Sequence, residues 1–315
     1  MCRAVSTYST ISTAGLSRED WLRERRTGIG GSDAGAICGL NPYSSPMDVY
    51  LDKTSEEVSD KDNEAMRQGR DLEEYVARRF MEESGLRVRR SNKMYRSVDH
   101  PFMLADVDRL VVGEDAGLEC KTASAYNADK WEDGRIPPHY LIQCLHYMAV
   151  TGRRTWYIAV VILGSGFRYQ RIDWDEGAIG ELTAIERAFW EQCVTPRVMP
   201  APDGSKACGE ALARYFHTAR KKSAIPLVGF DEELARREEL LQAIDRMQQE
   251  QRRIEQGIKC AMGDNELAFN DKYKVSWSNV DTTKLDTKRM KEEEPDLYRR
   301  FAKTTTSRRF TIKVA

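Results

Sequence analysis

Apolar residues recur with two periods along this chain, and the switches between them divide it into elements. Residues 104–112 are rich in Leu and Val, residues 113–117 (GEDAG) are turn formers, and residues 118–122 begin a second extended run. This predicts two strands joined by a turn. Residues 69–84 place Leu72, Tyr75, Val76 and Phe80 at helical spacing, and residues 139–151 do the same with Tyr140, Leu141, Cys144, Leu145 and Met148, so both read as amphipathic helices. Residues 155–163 are apolar and β-branched, which predicts a buried strand, and 167–174 read as its edge partner. A helix over 179–194 follows. Shorter signals precede these: a helix capped by Ser17 and running through Arg26, a helix starting at Ser32 and stopping near Gly39, a basic strand-like stretch over 86–95, and a short helix over 126–133. Residues 1–16, rich in Ser and Thr, read as a flexible N-terminus.

Strands and helices thus alternate up to Met199, the pattern of an α/β domain with a mixed sheet. Pro196, Pro200, Pro202 and Gly204 mark a boundary. The expected organisation is a core over 17–199, a linker with a short helix over 200–230, and a C-terminal long helix with a small β extension over 231–315. Within 231–262, Leu240, Ile244, Met247, Gln251, Ile254 and Ile258 recur in steps of four and three, a seam for another helix of this chain or of a partner. Strands are expected at 267–269, 273–277 and 309–314.

Composition narrows the class. The chain has 315 residues, 41% of them hydrophobic, and a net charge of −1, so total charge does not single out a polyanionic partner. From residue 270 onward twelve Lys/Arg stand against seven Asp/Glu, with Trp277, Tyr298 and Phe301 interleaved, a local pattern that suits nucleic acid or a solvated face. Seven scattered cysteines form no C-x-x-C pair, which argues against zinc or iron–sulfur sites and for free thiols in a reducing cytoplasm. No apolar run reaches membrane-spanning length, and the N-terminus lacks a signal-peptide core, so no membrane is expected as a partner.

The candidate chemistry lies in residues 104–122. Side chains of a strand alternate faces, so Glu119 and Lys121 point one way and Leu118 and Cys120 the other. On the preceding strand Asp106 and Asp108 share a face, and a hairpin can bring an aspartate beside Glu119 and Lys121. Carboxylate oxygens suit hard divalent cations such as Mg²⁺, and a lysine alongside can orient water or neutralise developing charge. Glu73 falls inside the apolar stripe of its helix, where a carboxylate needs a cation, a metal or an arginine, whereas Glu74 points outward. His139, Gln143 and His146 share a second face of their helix. Gly28-Ile29-Gly30-Gly31-Ser32 is a glycine turn with Ser32 as N-cap, and Arg25 and Arg26 lie just upstream; free N–H groups there suit a phosphate, though the spacing matches no nucleotide-binding loop.

Several of these motifs, in order, resemble the YqaJ-like viral recombinases, the lambda-exonuclease-like branch of the PD-(D/E)xK nucleases. They are Trp21-Leu22 and Arg26 with Gly28-Ile-Gly-Gly-Ser32-Asp-Ala, Gly69 with Leu72-Glu73, Ala105-Asp-Val-Asp108-Arg, Leu118-Glu119-Cys-Lys121-Thr, and Tyr140-Leu-Ile-Gln143-Cys-Leu-His-Tyr-Met148. The resemblance covers about residues 17–195. It implies a restriction-endonuclease-like mixed sheet flanked by helices and two-metal hydrolysis of DNA phosphodiesters, with Mg²⁺ as cofactor and Mn²⁺ able to substitute. Asp108, Glu119 and the Cys120 carbonyl would hold one ion and Glu73 the second, directly or through water. Lys121 would position the attacking water and Gln143 the nucleophile or the scissile phosphate. Ser32 with Arg25 or Arg26 would grip a terminal 5′-phosphate. The resemblance further implies a Mg-dependent 5′–3′ exonuclease that resects linear duplex DNA for phage-type recombination, working with a single-strand annealing recombinase, assembling as a homo-oligomer (a ring trimer in the lambda relatives), and acting in the cytoplasm of a bacterial host. A structure-specific endonuclease on the same core, and a non-catalytic DNA- or partner-binding module, are the competing readings.

Overall fold

The computed structural model describes residues 7–56, 63–220 and 223–313. These form two compact units, Met1–His217 and Thr218–Ala315. The first contains β1 (Tyr8–Ser12), α1 (Arg18–Arg25), α2 (Gly31–Ile37), α3 (Pro46–Thr54), α4 (Glu64–Ser84), β2 (Val88–Arg90), β3 (Lys93–Ser97), β4 (Leu104–Asp106), β5 (Arg109–Val111), β6 (Ala116–Ala123), α5 (Pro138–Thr151), β7 (Thr155–Ile162), β8 (Gly166–Asp173), α6 (Glu176–Phe189) and α7 (Lys206–Tyr215). A 3₁₀ segment, Ala125–Gly134, joins β6 to α5.

The main sheet runs β2-β5-β6-β7-β8. Only β6 and β7 are parallel, and α5 lies in the connection between them, as a parallel pair requires. The other neighbours are antiparallel, so the sheet is mixed as the sequence pattern implies. One face is closed by α4: Val76, Ala77 and Phe80 pack with Leu118, Tyr157 and Ala159. The opposite face receives α5 and α6, where Cys144, Met148 and Leu182 meet Trp156, Ile158 and Val160. Burying Phe80 completely contributes about 1.5–3 kcal/mol. Asn63 caps the start of α4 by accepting the Met66 N–H, and Gly85, at φ 73°, ends it.

The hairpin expected over 104–122 is split between two sheets. β4 pairs with β3, which pairs with β1, in a separate three-stranded sheet; only β5 pairs with β6. The break falls at Asp108. Its carboxylate accepts the Cys120 N–H at 2.8 Å, the place a continuing strand would occupy. Likewise the basic stretch over 86–95 divides into β2 and β3, with Asn92 at φ 50° between them. The N-terminal residues expected to be flexible include β1, and residues 46–54 form a helix whose capping box, Ser45 with Asp48, was not anticipated. α7 packs into the first unit through buried Cys208 and Ala211.

His146 and Glu186 form a fully buried pair. His146 Nδ1 and Glu186 Oε1 are 2.8 Å apart, and the other ring nitrogen meets the Leu104 carbonyl at 2.8 Å. His146 therefore ties α5 to α6 and β4 and does not share a working face with His139 and Gln143. Burial opposes its charge, but Glu186 and the Leu104 carbonyl outweigh burial, so its pKa is raised above the ordinary 6.5. A raised folded-state pKa contributes stability that is complete below the unfolded value and is lost as pH rises through the folded one. The thermal-stability gap between wild type and Glu186→Gln is thus expected to be widest near about pH 6 and to narrow toward about pH 9. A gap that stays constant with pH would show that the pair is not ionic.

The second unit holds α8 (Asp231–Met262), the antiparallel pair β9 (Leu267–Phe269) and β10 (Lys274–Ser276), α9 (Thr287–Glu293) and α10 (Pro295–Phe301). Asp231, Glu232 and Glu233 at the start of α8 and Lys259 near its end suit the helix dipole. Its seam is uncovered, with Leu240 47% and Met247 69% exposed. Residues 309–313 form no strand, and the rest of the strand expected at 309–314 lies outside the described residues. No helix among the described residues is long and apolar enough to cross a membrane.

Candidate active site

Glu119 sits on β6 with its side chain on the α5 face of the sheet and is 2% exposed. Its Oε1 accepts from Lys121 Nζ at 2.6 Å and from Gln143 Nε2 at 2.7 Å. Gln143 also reaches the Tyr147 hydroxyl at 2.9 Å. Lys121, two residues along the same face, lies with its ammonium 4.6 Å from the centre of the Tyr140 ring. Asp108 reaches this group from the break between β4 and β5. Four of the residues singled out in the sequence, Asp108, Glu119, Lys121 and Gln143, therefore converge.

The electrostatics are those of crowded carboxylates. Burial, then the charges of Glu119 and Glu73, push Asp108 well above the ordinary carboxylate range. Burial also raises Glu119, with Lys121 acting against it. Lys121 is pushed up, because Glu119 and Asp108 outweigh the burial that opposes its charge. Glu119 Oε2 is buried with no hydrogen-bond partner. A buried oxygen without a donor, beside a second carboxylate, is short of positive charge, so these residues fit a hard divalent cation. Among the described residues no three His, Cys, Asp or Glu side chains form a ready cation cage; the donors here are two carboxylates and main-chain oxygen.

Glu73 is placed against Arg109, not on the Asp108–Glu119 pair. Arg109, its side chain 4% exposed, donates to Glu73 and to Glu74 Oε2, the latter at 3.0 Å, and Arg90 also reaches Glu74 at 2.9 Å. Glu73 is still close enough for its charge to act on Asp108. Arg109 was not anticipated as a site residue. A cation inside an apolar-flanked strand, directly after Asp108, is the signal that could have found it.

A cleft of about 150 Å³ adjoins this cluster, lined by Trp21, Arg25, Gly31, Ser32, Asp106 and Tyr147. Arg25 bonds the Ser32 hydroxyl and lies 3.5 Å from Asp33. Arg26 instead turns away: its guanidinium donates to the carbonyls of Asp52, at 2.7 Å, and Ser55, at the end of α3. Lys53, with a fully buried side chain, pairs with Asp33 at 2.7 Å and reaches the Arg25 carbonyl at 3.3 Å. Burial works against the Asp33 charge, but Lys53 and then Arg25 hold its carboxyl down to about 2. The Gly30 N–H is taken by Asp33 at 2.9 Å, so it is not free for a ligand. Gly31 allows α2 to lie against α5: a Cβ there would meet Tyr147 Cε1 at 2.6 Å and Gln143 Cγ at 3.0 Å. Close approach, and not turn flexibility, explains that glycine. Lys53, Asp33, Trp21 and Tyr147 were not predicted as members, because the contacts that recruit them span several elements.

The mixed sheet and the acidic cluster at its broken strand define a class: an α/β protein in which a carboxylate from a strand break meets a carboxylate and a lysine on one strand face. The YqaJ-like viral recombinase domain matches residues 20–154. The uncharacterized protein YqaJ of Bacillus subtilis (strain 168) is 40% identical over 302 residues, covering 95% of each chain. The chain belongs to the YqaJ-like viral recombinase family. Among solved structures it is similar to an alkaline exonuclease, LHK-Exo, from Laribacter hongkongensis, at 19% identity over 55% of this chain and 91% of that one, with a TM-score of 0.47. It is also similar to a phage related exonuclease from Haemophilus somnus 129PT, at 12% identity over 56% and 99%, with a TM-score of 0.41.

Proposed function

We propose that this protein is a divalent-cation-dependent deoxyribonuclease that removes nucleotides from the 5′ end of linear duplex DNA for strand-annealing recombination. The observation that carries the reading is the cluster of Asp108, Glu119 and Lys121, held by Gln143, beside a cleft containing Arg25 and Ser32. Family membership supports it.

Asp108, Glu119 and the Cys120 carbonyl would hold Mg²⁺. In an extended strand the N–H and C=O of one residue point to the same edge, and the Cys120 N–H points to Asp108, so its carbonyl faces the same side. Glu73 would serve a second ion through water while paired with Arg109. Cations held there would supply polarisation of the phosphoryl group and neutralisation of charge on the reacting oxygens. The chain's own groups do the rest. Lys121 donates from its ammonium to the attacking water and orients it for in-line attack. Gln143 fixes the Glu119 carboxylate, and Tyr140 fixes the Lys121 ammonium, so little reorganisation is needed at the moment of reaction. Arg25, paired with the Ser32 hydroxyl, holds the 5′-terminal nucleotide, and that anchoring sets polarity. Arg26 supports α3 in this scheme.

The test is linear duplex labelled at one end or the other, incubated with Mg²⁺. Release of the 5′ label first, as mononucleotide, is the expected result. Release from the 3′ end first, or cutting of closed circular DNA at a comparable rate, would favour an endonuclease or opposite polarity. Tight DNA binding without any cleavage in Mg²⁺ or Mn²⁺ would favour a binding module. A ring of subunits and docking of an annealing protein belong to the same proposal.

A further inference from the structure

The cleft that receives the DNA end contains a carboxylate as well as a guanidinium. Asp106 closes β4, lines the same cavity as Arg25 and Ser32, and accepts the Trp21 indole N–H at Oδ2, 2.8 Å away. Trp21 in turn lies under Arg25, 5.6 Å from ring centre to guanidinium. The carboxylate is therefore held in place by a ring that packs on Arg25, and the two charges act on each other. Elsewhere around Arg25 the charges are already matched, since Asp33 lies 3.5 Å from it and Lys53 offsets Asp33 at 2.7 Å. Among the side chains that line the cleft, Asp106 matches the charge of Arg25.

A terminal phosphate carries nearly two negative charges near neutral pH, because its second pKa is about 6. A cleft in which a carboxylate matches Arg25 gains little from that group, and the carboxylate repels it. A 5′-hydroxyl, by contrast, can donate to a carboxylate and accept from Arg25 or Ser32. We propose that Asp106 sets the end-selectivity of this cleft, making it accept a 5′-hydroxyl DNA terminus about as readily as a 5′-phosphate terminus. This rests on the exonuclease reading above, and it makes Asp106 a specificity-determining residue.

The experiment compares mononucleotide release from duplexes that differ only in a 5′-phosphate or 5′-hydroxyl end, for wild type, Asp106→Asn, and the double variant Arg25→Ala/Asp106→Asn. The readout is the ratio of kcat/KM for the two ends within each protein, so a general loss of folding or of Asp108 placement cancels. Wild type is expected to show a ratio within about threefold of one, and Asp106→Asn to raise it in favour of the phosphate by at least about tenfold, the scale of one unit charge a few ångströms away at a partly screened site. The double variant is expected to lose that gain. A wild-type preference for the phosphate above about tenfold, or an unchanged ratio in Asp106→Asn, would overturn the proposal. If Asp106→Asn turns over too slowly, the same ratio is read as equilibrium affinity for the two ends in chelator. Wild type that degrades neither end would instead overturn the exonuclease reading on which the proposal stands.

Discussion

Glu119→Gln is expected to lower DNA hydrolysis by at least about a thousandfold, with the protein still folded. The substitution keeps the shape of the side chain and removes its charge. Two donors now converge on Oε1, the Lys121 ammonium at 2.6 Å and the Gln143 amide at 2.7 Å. A glutamine carbonyl still accepts from Gln143, but it leaves the ammonium without its near counter-charge and removes one of two carboxylates that would hold a cation. Losing cation affinity and Lys121 placement together acts on the transition state, so kcat should fall far more than KM rises. Circular dichroism and the melting temperature control for folding. Activity above about a tenth of wild type would remove Glu119 from the centre of the mechanism.

Gly31→Ala should cut activity by about a hundredfold and destabilise the first unit by about 1–3 kcal/mol. The added methyl would stand 2.6 Å from Tyr147 Cε1 and 3.0 Å from Gln143 Cγ. The first distance is shorter than real methyl contacts, so the Tyr147 ring, α2 or α5 must move. Each displacement reaches the site, because Gln143 holds Glu119 and Tyr147 lines the cleft behind Arg25. Gly117→Ala makes a useful comparison. Its methyl would meet the Trp156 ring at 2.4 Å, within the core packing, so it should destabilise without the same disproportionate loss of turnover. Equal losses of turnover in the two variants at matched stability would contradict the proposed coupling of α2 to Glu119.

Much of this was legible in the sequence, and the gaps have physical reasons. The residue period exposed α4, α5 and β8, because each buries one stripe or face; β7 showed as an unbroken apolar run, and α8 by the spacing of a seam that stays exposed. Alternation on β6 placed Glu119 and Lys121 together, and the structure keeps them on one face. Asp106 was assigned to the face of Asp108 on the assumption of an unbroken strand. The switch between sheets after β4 sends Asp106 to Trp21 and Asp108 to Cys120, and no local signal marks that switch. Glu73 illustrates a different limit. Its position on the buried stripe showed that it needs a cation, but only tertiary packing decides between a metal and Arg109. The choice between Arg25 and Arg26 had the same character. Adjacent arginines at the end of α1 point apart, and the unanticipated helix α3 supplies the carbonyls that occupy Arg26.

In the proposed function Asp108 and Glu119 act by holding a divalent cation at the DNA backbone. The decisive measurement is mononucleotide release from linear duplex by the wild-type protein as Mg²⁺ is titrated from zero in the presence of a chelator. No release is expected until free Mg²⁺ appears, a saturable rise thereafter, and no such rise in Asp108→Asn at the same concentrations. Release that persists undiminished in excess chelator, or a titration curve unchanged in Asp108→Asn, would contradict it.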